Sequence, residues 1–270
     1  MFHRKSDSPA VTFPTEHPHG HVAAHVEAGL ALEGPLRWDL YTVAAGPAQV
    51  MHESYDEHLR YVASAGYDWD DELRFDAKSG QLVGLVLKIG EAGPLSADVG
   101  ASYLSLLRQR GLPVATRHRD AAHLTPEALR WLSADARELV VLAKGAPAAD
   151  GASLRLAVHP SLDLLFHDGQ YLGWILHDPL EQLAGASEQA ADWDPHEAPR
   201  DARHASLVAV LHDYLALVMG PTLTGMERRD PTVEVALEAL RARTLELRAH
   251  DAVADGLAGR IEELLETFYG

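Results

Sequence analysis

The chain has 270 residues, with 23 Lys plus Arg against 40 Asp plus Glu. This gives a formal net charge of −17, alongside sixteen histidines whose protonation would nearly cancel it. That balance excludes general binding to nucleic acid or to an anionic membrane, both of which need a cationic surface, and the absence of cysteine excludes disulfides, thiolate metal sites and cysteine nucleophiles.

Residues 1–15 carry charges, serine and two prolines with little apolar periodicity, which predicts a flexible start with no secretory signal. The segment 36–43 reads as a strand ending at Gly46-Pro47. Tyr55, Leu59 and Val62 fall at helical spacing and predict a short helix over 52–64. The stretch 69–89 predicts a strand, a loop over 77–80 and a return strand, followed by a helix over 97–110 that Gly111 and Pro113 terminate.

Further on, Thr125 as cap, Pro126 at the first helical position and a Leu124–Leu129 staple predict another helix. A short buried strand is expected over 139–142, and three more lie within 153–158 and 162–176. The last two of these are joined by Asp168-Gly169, the strongest hairpin signal in the chain. Pairing His167 with Gln170 puts Leu162, Leu164, Phe166, Tyr171 and Ile175 on one face, and Leu165, Leu172, Trp174 and Leu176 on the other. Asp178-Pro179 starts a helix, 186–203 reads as a linker, and 204–270 carries three apolar helical stripes, with Asp230-Pro231 marking a start. The longest apolar run, 207–219, is interrupted by His212 and Asp213 and is too short to span a bilayer, so a cytoplasmic protein is expected.

One internal match stands out. The segment 73–88 overlays 164–177 with a two-residue gap in the turn, pairing Phe75 with Phe166, Gly80 with Gly169, Gln81 with Gln170, Gly84 with Gly173 and Leu87 with Leu176. Either a tandem duplication over about 36–111 and 139–219 or chance likeness between two hairpins accounts for it. The sequence therefore predicts an α+β fold: a mixed or antiparallel sheet containing two similar hairpins, covering helices and a C-terminal three-helix segment, with a sheet domain over 16–185.

Two clusters carry candidate function. His17, His19, His21 and His25 crowd near the start, where an extended segment or a helix beginning at His21 would put imidazoles on one side to hold Zn or another transition metal. Residues 53–72 hold seven carboxylates against Arg60 alone, with embedded aromatics. Tyr55, Asp56, Glu57, Asp68, Trp69, Asp70 and Asp71 are the expected partner-binding residues. His52 and Asp56 share a helix face but do not form HExxH, and the histidines of His167-Asp168 and His177-Asp178 lie on opposite faces of their hairpin. No nucleophile elbow, dinucleotide fingerprint or phosphate loop is present, and the sequence names no reaction. The leading expectation is an acidic adaptor, accessory or inhibitor-like protein that docks a more basic protein. The rival is a metal-dependent enzyme or metal-handling protein using the histidine cluster.

Overall fold

In the computed structural model, residues 8–14, 21–40, 44–51, 71–116, 121–124, 127–184, 200–248 and 251–270 are described. Among these residues, fourteen strands and seven helices give an α+β fold with one mixed and one antiparallel sheet.

The larger sheet is built on strands β1 (Ala10–Pro14), β2 (His21–Ala28), β8 (Arg108–Ala115), β12 (Ser153–His159), β13 (Leu162–His167) and β14 (Gln170–His177), which follow one another in that order. A parallel contact between Thr12 and Gln170, with the Thr12 N–H donating to the Gly169 carbonyl at 2.7 Å, returns β14 to β1 and closes the six into a ring. Closure removes the exposed edge that an open sheet would present. Along its remaining length β14 pairs instead with β11 (Glu138–Ala143), which continues to β10 (Ala128–Leu132) and the two-residue β7 (Gly93–Pro94).

The smaller sheet is antiparallel throughout, in the order β3 (Leu36–Asp39), β4 (Ala44–Pro47), β6 (Leu82–Lys88), β5 (Asp71–Phe75) and β9 (Ala121–Leu124). Gly80 stitches it to the ring: its carbonyl accepts from the Ala115 N–H at 2.7 Å, and a Cβ on Gly80 would lie 2.5 Å from the Ala115 oxygen. The remaining elements are α1 (Ala48–Met51), α2 (Ala97–Leu104), α3 (Pro179–Ala184), α4 (Arg200–Leu217), α5 (Gly220–Glu227), α6 (Pro231–Arg248) and α7 (Ala252–Tyr269). The C-terminal helices share one apolar core with both sheets, through Leu211 and Tyr214 on α4, Leu237 and Leu240 on α6, and Leu257 and Ile261 on α7.

The internal match extends beyond the two hairpins. Strands β3, β4, β5 and β6 occur in the chain order and spatial order of β10, β11, β13 and β14. Both hairpins also carry a bulge at the same place: Arg74 pairs with Gly84 and Phe75 with Leu82, as Leu165 pairs with Gly173 and Phe166 with Tyr171. The matched Phe75 and Phe166 both meet Phe13 of β1, at ring distances of 5.9 and 5.5 Å, and Tyr171 completes the aromatic centre at 5.6 Å.

Several expectations are corrected. Within the segment expected over 1–15, residues 10–14 form strand β1, with Val11 and Phe13 buried in the ring. The helix expected over 97–110 stops at Leu104; the Ser102 and Ser105 hydroxyls bond back to the carbonyls of Val99 and Ser102, and Arg108 onward is drawn into β8 between two partner strands. The segment after Thr125-Pro126 is strand β10, where pairing with β11 and β7 overrides the local preference of Ala128 to Leu132 for a helix. Of the strand expected over 36–43, β3 occupies 36–39 and pairs with β4 over 44–47, while 41–43 lie outside the described residues.

The bulge in β14 moves Trp174 and Leu176 onto the face of Leu164 and Phe166, and sends Ile175 to the face of Leu165, since one extra residue reverses every side chain beyond it. The C-terminal segment has four helices, α4 and α5 meeting at a bend of 68°. Helix α4 begins at Arg200, inside the expected linker. The helix expected over 52–64 and most of the linker lie outside the described residues.

Candidate functional site

The densest charged constellation among the described residues is assembled from four neighbouring strands. Asp163 on β13 is fully buried. Its Oδ1 accepts from Arg108 Nε of β8 at 2.7 Å, and its Oδ2 accepts from Arg155 Nε of β12 at 2.7 Å and faces His177 Nε2 of β14 at 2.8 Å. Arg108 and Arg155 are adjacent because β8 and β12 run parallel with these two residues in register. The Arg155 Nη1 donates to the Leu104 carbonyl, which ties the C-terminus of α2 to the sheet, where a cation is favoured by the helix dipole. Arg108 Nη2 donates to the carbonyls of His159 and Pro160.

Burial alone would raise the Asp163 carboxyl. The hydrogen bond and charge of His177, joined by bonds from Arg155 and Arg108, outweigh that and hold it below the usual carboxylate range. An ionised carboxylate so fully engaged cannot exchange protons with a substrate near neutral pH; its work is to hold five elements together. His177 Nδ1 has no partner among the described residues.

Next to this cluster, His159 Nε2 donates to the Gly34 carbonyl at 2.8 Å while its Nδ1 accepts from the Ser161 N–H at 3.0 Å, a pattern that only the neutral ring with its proton on Nε2 satisfies. Burial lowers its affinity for a second proton. Gly34 belongs to an open cleft of about 360 Å³ lined by Leu32, Glu33, Gly34, Pro47, Gln49 and Val83. A third polar group lies under the helices. Arg130 of β10 donates through Nη2 to the carbonyls of Leu215 and Val218 at the end of α4, and burial lowers its pKa to about 10, while burial pushes the Tyr214 hydroxyl up to about 12.

The expected site residues fare unequally. His17, His19, Tyr55, Asp56, Glu57, Asp68, Trp69 and Asp70 lie outside the described residues. Asp71 is buried and committed internally: its carboxylate accepts from the Tyr171 hydroxyl at 2.9 Å and from the Lys88 N–H at 2.7 Å, so it offers nothing to a partner. His21 and His25 lie on a strand and not a helix; they share a face of β2 but sit about 13 Å apart at the rise of an extended chain, too far to grip one ion. Among the described residues no group of three His, Asp or Glu side chains converges in metal-binding geometry.

Sequence reasoning missed Asp163, whose only signal was a lone carboxylate inside the apolar run LDLLF. It also paired neither histidine of the His-Asp dipeptides with its true neighbour: His177 meets Asp163, and His167 Nδ1 lies 3.1 Å from the Ser153 hydroxyl.

No single helix among the described residues is long and apolar enough to cross a membrane; α4 and α5 reach that composition only jointly, across their bend. Compared with known proteins, the chain matches no family model, no curated relative and no solved structure.

Proposed function

We propose that the chain is an acidic cytoplasmic binding protein, an adaptor, accessory or inhibitor-like factor, that docks a more basic protein through the segment 53–72. The observation that carries this reading is the concentration of seven carboxylates against Arg60 alone, interleaved with Tyr55, Tyr61, Tyr67 and Trp69. Such a mixture combines electrostatic steering with aromatic anchors.

The acidic stretch lies in the chain between α1 and β5. Because Asp71 and Glu72 are buried, the docking charge is assigned to Glu53, Asp56, Glu57, Asp68 and Asp70.

Capture from an extract of the native host tests the reading. The wild-type chain is expected to retain a basic protein whose recovery falls with rising salt. A variant with Asp56, Glu57, Asp68 and Asp70 changed to their amides and Trp69→Ala is expected to recover at least tenfold less. Recovery of no partner at low and physiological salt, or equal recovery by the variant, would overturn it.

A further inference from the structure

The two matched hairpins differ in what covers their bulges. Each bulge leaves one residue of the return strand without a cross-strand partner, Val83 in the first hairpin and Leu172 in the second. Leu172 is packed into an apolar cluster with Val99 and Leu104 of α2. Val83 is 43% exposed and forms one wall of the 360 Å³ cleft.

The rest of that cleft is firmly placed. Leu32 N–H donates to the Val158 carbonyl at 2.7 Å, the Ala48 N–H to the Pro35 carbonyl at 2.9 Å, and His159 fixes the Gly34 carbonyl from below. A concavity held this way needs little ordering on binding.

Its chemistry is asymmetric. Val83 presents carbon, with Leu32 and Pro47 buried behind it, and most of the exposed lining is polar; Glu33 presents a carboxylate with no hydrogen bond or ion pair among the described residues; Gln49 presents an amide; and none of the six lining residues is a cation. The group that meets all of these is an aliphatic stem ending in a planar cation with several donors, since a guanidinium fork can serve a carboxylate and a neighbouring amide oxygen together while an ammonium acts as a point.

We propose that this cleft receives an arginine side chain of a basic protein partner, with the guanidinium on Glu33 and Gln49 and the stem along Val83 and Pro47. The assignment rests on the docking function proposed above, and Gln49 stands three residues before His52, where the connection that carries the acidic stretch begins.

Titrating the isotope-labelled full chain with N-acetyl-arginine amide tests it. Saturable amide shifts are expected at 32–34, 49 and 83. Glu33→Gln is expected to weaken binding at least tenfold, and Val83→Arg, which fills the cleft from its own wall, to abolish it. The proposal is overturned if those amides do not move, if N-acetyl-norleucine amide or N-acetyl-lysine amide binds as tightly, or if Glu33→Gln retains the affinity. The host-extract capture separates the two proposals. A chain that binds the arginine probe but captures no partner loses the docking reading and keeps the cleft; a chain that captures a partner but ignores the probe loses the cleft alone.

Discussion

Arg155 Nε and Asp163 Oδ2 meet at 2.7 Å across the β12–β13 pair, with side chains only 9% and 0% exposed, and Arg108 and His177 close on the same carboxylate from the flanking strands. Removing one member of a buried pair strands the other without its counter-charge, a loss of about 3–5 kcal/mol. Asp163→Asn is therefore expected to lower unfolding free energy by that order in urea titrations, a large part of the ~5–15 kcal/mol a domain commands. Because Arg155 also holds the Leu104 carbonyl, the variant should loosen α2, seen as faster amide exchange over 97–104. A loss below about 1 kcal/mol would show that the cluster is not a structural clamp.

The same carboxylate sets the acid limb of stability. Its pKa is lower in the fold than in the unfolded chain, so its contribution is complete above the ordinary carboxylate value of 3.8 and drains away as pH falls below that toward the folded value. Wild-type stability should fall between pH 4 and lower values more steeply than that of Asp163→Asn. Parallel acid limbs for the two proteins would refute the assignment.

His159 acts in a different window with the same sign. The fold keeps the ring neutral, lowered from its ordinary 6.5 mainly by burial, with Arg108 adding repulsion and the Gly34 bond opposing both. The unfolded state therefore binds the extra proton first, and stability is lost as pH falls below about 6.5. Melting temperature measured from pH 7.5 to 5 should decline in the wild type and decline less in His159→Gln, which does not titrate. Protonation would also set an Nδ1–H against the Ser161 N–H, so the amide signal of Ser161 should report the step.

What the sequence reveals depends on whether the determinants are local. The Asp168-Gly169 turn was legible because both residues adopt positive φ, 48° and 73°, which Asp and Gly tolerate next to strands that need it. Asp230-Pro231 was legible because the Asp230 carboxylate accepts from the Thr232 N–H at the start of α6, and the stripes of α4, α6 and α7 because each buries one face in the same core. Strands β8 and β10 were not legible: Arg108 to Arg110 and Ala128 to Leu132 carry no strand pattern, and only neighbours distant in sequence hold them extended. The Asp163 cluster was hidden for the same reason, since its four members span positions 108 to 177 and meet through sheet order alone.

Arg130, on the strand next to the edge of the larger sheet, joins that sheet to the helices. Its Nη2 serves two carbonyls at the end of α4, while its Nε and Nη1 have no partner among the described residues. Arg130→Met removes a costly buried charge but leaves both carbonyls unsatisfied, and a net loss of about 1–3 kcal/mol is expected. The loss should be local: faster amide exchange in α5, whose Gly220 N–H also leans on the Glu91 carbonyl, with β13 and β14 unchanged. Uniform acceleration across the chain would mean that Arg130 supports the whole core and not this junction.

The paired glycines of the two hairpins offer a direct comparison between the halves. At Gly173, φ is 154° and a Cβ would lie 2.0 Å from the Val141 carbonyl oxygen, because β14 passes at this point from its β11 partner toward β1. At Gly84 the nearest atom to a Cβ is Val50 Cγ2 at 2.9 Å, the tip of a side chain on α1. Backbone cannot withdraw as a methyl group can, so Gly173→Ala is expected to cost about 3 kcal/mol or more and Gly84→Ala about 1 kcal/mol. Space made by Val50→Ala should recover part of the Gly84→Ala loss, giving a favourable coupling in the double variant. No side-chain truncation near Gly173 should rescue its alanine. Equal costs at the two positions, or no coupling to Val50, would show that the matched bulges are held by the same contacts and that the close approach at β14 is not what demands glycine there.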